Sequence, residues 1–375
     1  MRSSGSLQDP PIRSDPEATP RLARLDGLRA IAVLAVLVDH FSPIRIAVGP
    51  YGVKLFFVLS GFLITGILLR CRTHMDAGQG FGVTLRQFYI RRALRILPIV
   101  YLVLVVGLAL GSEEIRRTLI WHLTFTSNLL FSVRGFPPMT SHFWSLAVEE
   151  QFYLVWPALI LLLPRRHLPA LTLALIVGAA VFRASAELWF TGFYPQILTP
   201  AVVDSLAFGA LLSWAGAESR ATISRWIYRL GFVMMPIALF EGISDEMPEL
   251  KFVLGDSVAA ASCAWILVCA LEERSKLGRL LEAAPLCFIG RISYGLYVYH
   301  LIVPSMVRGA LAEAGLAIPP WEVLWLPCTA ITFALAILSW YLIEVPINRN
   351  KRFFPYRLEP AVAAVALPPS GYARP

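Results

Sequence analysis

Arg29 and His40 stand eleven positions apart within an otherwise apolar stretch. Eleven residues at 100° each return to within ~20° of the starting direction, so a helix through this stretch carries both on one face. At 1.5 Å per residue they are separated by roughly 16 Å along the axis, half the thickness of a bilayer's hydrocarbon core. One face thus offers a cation near one end and an imidazole toward the other. Snorkelling of Arg29 and capping by His40 is the plainer use of the same pair. Arg92 and Arg95 are three apart and share a helix face. Planar guanidinium forks at that spacing suit the oxygens of a phosphate, and ordinary anchoring of a membrane helix is the alternative. Glu149 and Glu150 open a further apolar run, where the helix dipole alone would favour acids. Alternation of span direction puts Glu149 at a depth similar to His40.

Other ionisable groups fall where a lipid core should be, and each costs a few kcal/mol there unless it has a reason. Arg183 and Glu187 are spaced as an i,i+4 pair that reads as mutual neutralisation, and Asp204, His300 and Glu344 stand apart. Asp26, Glu150, Asp204 and His300 are further functional candidates. His74, His122, His142 and His167 fall in loops or interfacial stretches and receive no assignment. No HExxH and no His/Cys set with zinc spacing occurs, so no metal is expected. No G-x-S-x-G elbow occurs either, and Ser60 reads as a small packing residue and not as a nucleophile.

The elements that must hold these residues are set by composition. Of 375 residues 57% are hydrophobic and 15% charged, and the mean hydropathy is +0.64. Soluble chains carry about 45–50% apolar and about 25% charged residues, so disordered and collagen-like classes are excluded and a soluble enzyme nearly so. Apolar runs fall near 28–43, 51–69, 96–111, 146–163, 168–187, 200–215, 230–243, 252–271, 286–307 and 322–343. The fold class expected is all-α, a polytopic transmembrane helical bundle of about ten spans with no appended soluble domain. The stretch 118–131 is short and polar-studded and reads as re-entrant or interfacial. The expected organisation is a tail over 1–24, a transmembrane domain over 25–346 and a second tail over 347–375. No small-residue cleavage site follows the first run, so it should stay as a helix.

The net charge of +8 reads as positive-inside loops against an anionic leaflet, not as a nucleic-acid surface. With about ten spans, most of the 33 Lys and Arg residues collect on the side of the two termini, which are therefore expected in the cytoplasm. The five cysteines lie mostly in apolar runs and read as small core residues.

Read together, Leu25-Asp26-Gly27-Leu28-Arg29 with His40, Gly52 to Phe62, Arg91 to Pro98, Trp144 to Tyr153, and Ile292 to Tyr297 with His300 resemble the acyltransferase family 3 membrane proteins. These are integral-membrane O-acyltransferases of bacterial surface polysaccharides and related acceptors, and the resemblance covers about residues 22–350. It implies a transmembrane acyltransferase domain over 25–346 that transfers groups other than amino-acyl groups. It makes His40 the catalytic residue, with Glu149 from the WSLxVE motif. Arg92, Arg95 and Arg29 would hold the donor, acyl-CoA and most simply acetyl-CoA. No permanently bound cofactor is implied. His40 would take the proton of an acceptor hydroxyl while Glu149 orients the imidazole or binds the acceptor; a transient acyl-His40 is the alternative. The implied partners are the lipid bilayer and a saccharide or glycolipid acceptor, in the cell (inner) membrane. Some members append an extracytoplasmic hydrolase domain; none is expected here, which leaves room for a separate extracytoplasmic partner. The competing class is a proton-coupled transporter or flippase, with His40, Glu149, Asp204 and His300 as a proton relay. Paired arginines and the lack of an internal repeat count against it. Acceptor choice should lie in loops such as 112–142 and 188–199.

Overall fold

Among the described residues every regular element is helical, as expected of a chain whose backbone polar groups must be satisfied within lipid. The computed structural model describes residues 18–43, 47–189, 192–218, 229–235, 251–272 and 275–356. In chain order its helices are α1 (Ala18–Phe41), α2 (Gly49–Asp76), α3 (Phe81–Ala109), α4 (Glu113–Leu123), α5 (Ser127–Arg134), α6 (Phe143–Leu162), α7 (Leu168–Trp189) and α8 (Thr199–Ala217). Then come α9 (Asp256–Leu271), α10 (Lys276–Leu281), α11 (Ala284–Tyr299), α12 (Ile302–Glu313), α13 (Trp321–Ser339) and α14 (Val345–Arg349).

Among the described residues seven helical stretches are long and apolar enough to cross a membrane, and the pair α11 and α12, bent by 45°, makes eight. The sequence led to an expectation of about ten. The difference has two sources. Helix α1 is long enough but carries Arg24, Asp26, Arg29 and Asp39. Most of the run 230–243 lies outside the described residues. The stretch 118–131 folds as parts of α4 and α5, which have 11 and 8 residues and are too short to span.

Local chemistry sets the ends. Ser112 caps α4 by accepting from the Ile115 amide at 3.4 Å, and Glu113 and Glu114 fill its first turn. Glu114 also accepts from the amides of Met139 (3.1 Å) and Thr140 (2.8 Å), which ties the loop before α6 onto α4. His122 on α4 is buried against the rings of Phe143 (5.0 Å) and Phe131 (6.0 Å), and burial pushes its imidazole down to about 4. It is a neutral packing residue.

Two helices meet backbone to backbone at the centre. A Cβ on Gly61 of α2 would strike the carbonyl of Leu206 on α8, and one on Gly209 of α8 would strike the carbonyl of Val58 on α2. Small residues at a crossing allow this approach, which in lipid stands in for a hydrophobic driving force. The close contact on the Gly61 side leaves the neighbouring Ser60 free to face an internal cavity.

Candidate active site

Two cavities lie end to end along α1. The first, of about 370 Å³, is lined at the start of α1 by Asp26 and Arg29, and elsewhere by Ser60, Arg92, Arg95, Glu149, Glu150 and Tyr153. The second, of about 410 Å³, is lined at the other end of α1 by Asp39 and His40, with Lys54, His142, Asp256 and His300. Val53, Phe57 and Tyr297 line both and form the wall between them. Helices α1, α2 and α11 pass from one cavity to the other. Helix α6 begins just past His142 in the second cavity and reaches Glu149 in the first.

In the first cavity the three arginines named from the sequence come together. Arg29 donates to Asp26 at 3.1 Å. Tyr153 donates to Ser60 (3.1 Å), and Ser60 donates to Glu149 Oε1 (2.6 Å), so hydroxyls hold the carboxyl in place. Arg92 Nε and Glu150 Oε1 are buried without a hydrogen-bond partner among the described residues, which marks them as groups facing something polar. Arg91 is turned the other way, donating to the carbonyls of Lys351 (2.7 Å) and Phe354 (3.1 Å) with its guanidinium over Tyr356.

The second cavity holds a histidine cluster. The rings of His40 and His300 lie 5.0 Å apart, and those of His142 and His300 4.6 Å. Each ring has one nitrogen on a backbone carbonyl: His40 Nδ1 on Val36 (2.9 Å), His142 Nε2 on Val298 (3.0 Å) and His300 Nδ1 on Tyr297 (2.6 Å). A carbonyl only accepts, so those nitrogens carry the hydrogen, and in the neutral ring the opposite nitrogen is the lone pair. On His40 that nitrogen is Nε2, held as a base. His142 Nδ1 and His300 Nε2 are buried and unpartnered among the described residues. His300 sits in the break between α11 and α12, and Tyr297, one turn earlier, bonds to Ser145 and to the His142 carbonyl (3.2 Å).

Several sequence readings change here. Glu149 does not orient His40: its partner is Ser60, and it shares a cavity with the arginines, because α6 carries it about 10 Å along the axis beyond His142. Ser60 is not merely a packing residue but the donor to Glu149. Arg183 has a described partner, while the side chain of the expected partner, Glu187, lies outside the described residues. Arg183 pairs with Asp204 at 3.0 Å, both fully buried, and donates to Ser257 (2.6 Å) and to the carbonyls of Val253 (2.9 Å) and Ala201. Asp204 accepts in addition from Ser257 (2.6 Å) and the Ser205 amide (2.8 Å) and lines neither cavity, so it is a structural group and not a member of a relay. His142, which carries no assignment from the sequence, lines the cavity of His40. Its spacing of seven residues from Glu149, two turns on one face, was the available signal. Among the described residues no group of three or more His, Cys, Asp or Glu is arranged to hold a metal ion.

A helical bundle with a cavity lined by three arginines and three carboxyls at one end and a histidine cluster at the other defines a multi-pass membrane protein with two polar cavities set along one helix. The family model described as an acyltransferase domain matches residues 22–343, and the chain belongs to this acyltransferase family. It is similar to the peptidoglycan O-acetyltransferase OatA of Listeria monocytogenes, 31% identical over 87% of this chain and 56% of that protein. It is 29% identical to YrhL of Bacillus subtilis, over 89% of this chain and 57% of the other, a protein named provisionally for the same activity. The chain therefore spans a little over half the length of these relatives. No solved structure matches it.

Proposed function

We propose that this protein is a membrane O-acyltransferase that moves an acetyl group from acyl-CoA to a hydroxyl of a saccharide. The observation that carries the reading is the split site: arginines line one cavity, a histidine base stands in the next, and three residues separate them. Arg29, Arg92 and Arg95 meet the donor's phosphates, and the thioester reaches the wall of Val53, Phe57 and Tyr297. The acceptor enters the histidine cavity from the opposite side. His40 Nε2 takes the hydroxyl proton, the oxygen attacks the thioester carbonyl, the C–S bond breaks, and the CoA thiolate leaves and is protonated. The arginine-bearing end faces the cytoplasm, where acyl-CoA is available, with both termini on that side of the cell membrane. The names of the relatives support acetyl as the group and a glycan as the acceptor.

The test is the purified full chain in sealed proteoliposomes with acetyl-labelled acetyl-CoA on one side and peptidoglycan fragments on the other. Label on the glycan, lost in His40→Ala, is the expected result. Label that stays on CoA while the glycan crosses the bilayer would make the protein a transporter and overturn the reading.

A further inference from the structure

A third cavity, of about 410 Å³, adjoins the first through Arg95, which lines both. Its other walls come from the end of the last long helical stretch: Trp340, Glu344, Asn348, Arg349 and Lys351. Resting on the proposed acyl-CoA donor, we infer that this cavity binds the adenosine 3′-phosphate end of that donor, leaving the first cavity to the diphosphate, which its arginines meet, the pantetheine arm and the thioester.

Size makes the first argument. Cavities that bury a drug-sized ligand run from about 300 to 1,000 Å³, and the first cavity, about 370 Å³, stands at the small end. Acyl-CoA is far larger than such a ligand, so its adenosine and ribose phosphate must lie beyond the arginines that meet its diphosphate. Charge and chemistry make the second. Arg95, Arg349 and Lys351 set three cations against the carboxyl of Glu344, which is drawn toward Ser339 at 3.5 Å. A ribose phosphate suits such a set. Asn348 Oδ1 is buried without a hydrogen-bond partner among the described residues, and the exocyclic amine of adenine is a donor for it. Trp340 lines the cavity, and its indole is a stacking partner for a purine. Arg91 fixes the segment from outside by holding the backbone carbonyl of Lys351, so the lysine side chain is left for a ligand.

Two sources could supply phosphate here, a nucleotide or an anionic lipid headgroup, and binding of adenosine 3′,5′-bisphosphate separates them. This probe carries no thioester, so its result is independent of whether the protein transfers acyl groups. The purified full chain in detergent should bind it by calorimetry. Arg349→Ala with Lys351→Ala should weaken binding at least tenfold, since each charge-assisted contact contributes about that much. Arg349 is exposed and Lys351 half-buried, so the double variant should melt as the parent does. With acetyl-CoA the double variant should raise KM and leave kcat; with acetyl-pantetheine it should change neither. No binding of the bisphosphate by the parent, or equal binding by the variant, overturns the inference. So does binding of phosphatidylglycerol nanodiscs that falls in the variant while the nucleotide is ignored.

Discussion

The Arg183–Asp204 cluster and the His40–His142–His300 cluster are both polar groups set within a helix bundle, and they are completed in opposite ways. Arg183 and Asp204 pair with each other and with Ser257, the Ser205 amide and two backbone carbonyls. The three histidines each spend one nitrogen on a backbone carbonyl and keep the other as a lone pair beside a cavity. A closed network stabilises a fold, because any missing member leaves a buried charge uncompensated. An open one invites a proton donor, which an acceptor hydroxyl would be. Ionisable residues within membrane helices are functional candidates as a class. Completeness of their hydrogen bonding is what tells the two kinds apart.

The sharpest way to break this comparison is His40→Ala. Loss of a general base costs about 10²–10⁴-fold, so transfer should fall by that range. The melting temperature should barely move, because the ring is exposed and holds one backbone carbonyl. Retained transfer would remove His40 from the chemistry. Asp204→Asn should show the reverse pattern. It leaves the Arg183 guanidinium buried without its counter-ion, at a cost of about 3–5 kcal/mol, read as a lower melting temperature and less folded protein. Activity per folded molecule should persist, and a selective loss of activity would return Asp204 to the site.

Ser60→Ala falls between the two clusters. It deletes the donor to Glu149 and the acceptor for Tyr153. A single hydrogen bond contributes about 1 kcal/mol, hence roughly fivefold. The loss should appear in steady-state kinetics against acyl-CoA concentration, with the melting temperature near that of the parent. The smallest effect belongs to the surface. Hydrogen bonds from Arg117 and Arg116 hold the Glu113 carboxyl below its ordinary range. A depressed folded-state value stabilises above the unfolded pKa and is lost as pH falls through the folded one. The small melting difference between the parent and Glu113→Gln should therefore be present at neutral pH and close in acid. A gap that widened in acid would contradict the pairing.

Much of the site was legible before any tertiary information. Arg29 and His40 do lie on one helix, and Arg29, Arg92 and Arg95 do meet, because helical periodicity fixes which residues share a face and α1 and α3 keep that periodicity. Glu149 was misplaced because alternation of spans gives a direction of travel and no depth. Two turns of α6 were enough to carry it from the cavity of His40 into that of the arginines. Ser60 looked inert because serine beside glycine usually marks close packing. The packing is real, at Gly61 against Leu206, and it is what turns Ser60 toward Glu149.

By itself the sequence determined that this is an all-helical membrane protein of the acyltransferase family and which residues are its chemical candidates. Hydrophobicity, charge and helical period are local properties and can be read along a line. Only the tertiary structure decided which candidates face each other, that Asp204 belongs to the scaffold, and that His142 and His300 join His40. Those outcomes depend on the depth and rotation of each helix against its neighbours. Contacts such as the Gly61–Leu206 crossing and the bend at His300 set these, and no single segment encodes them.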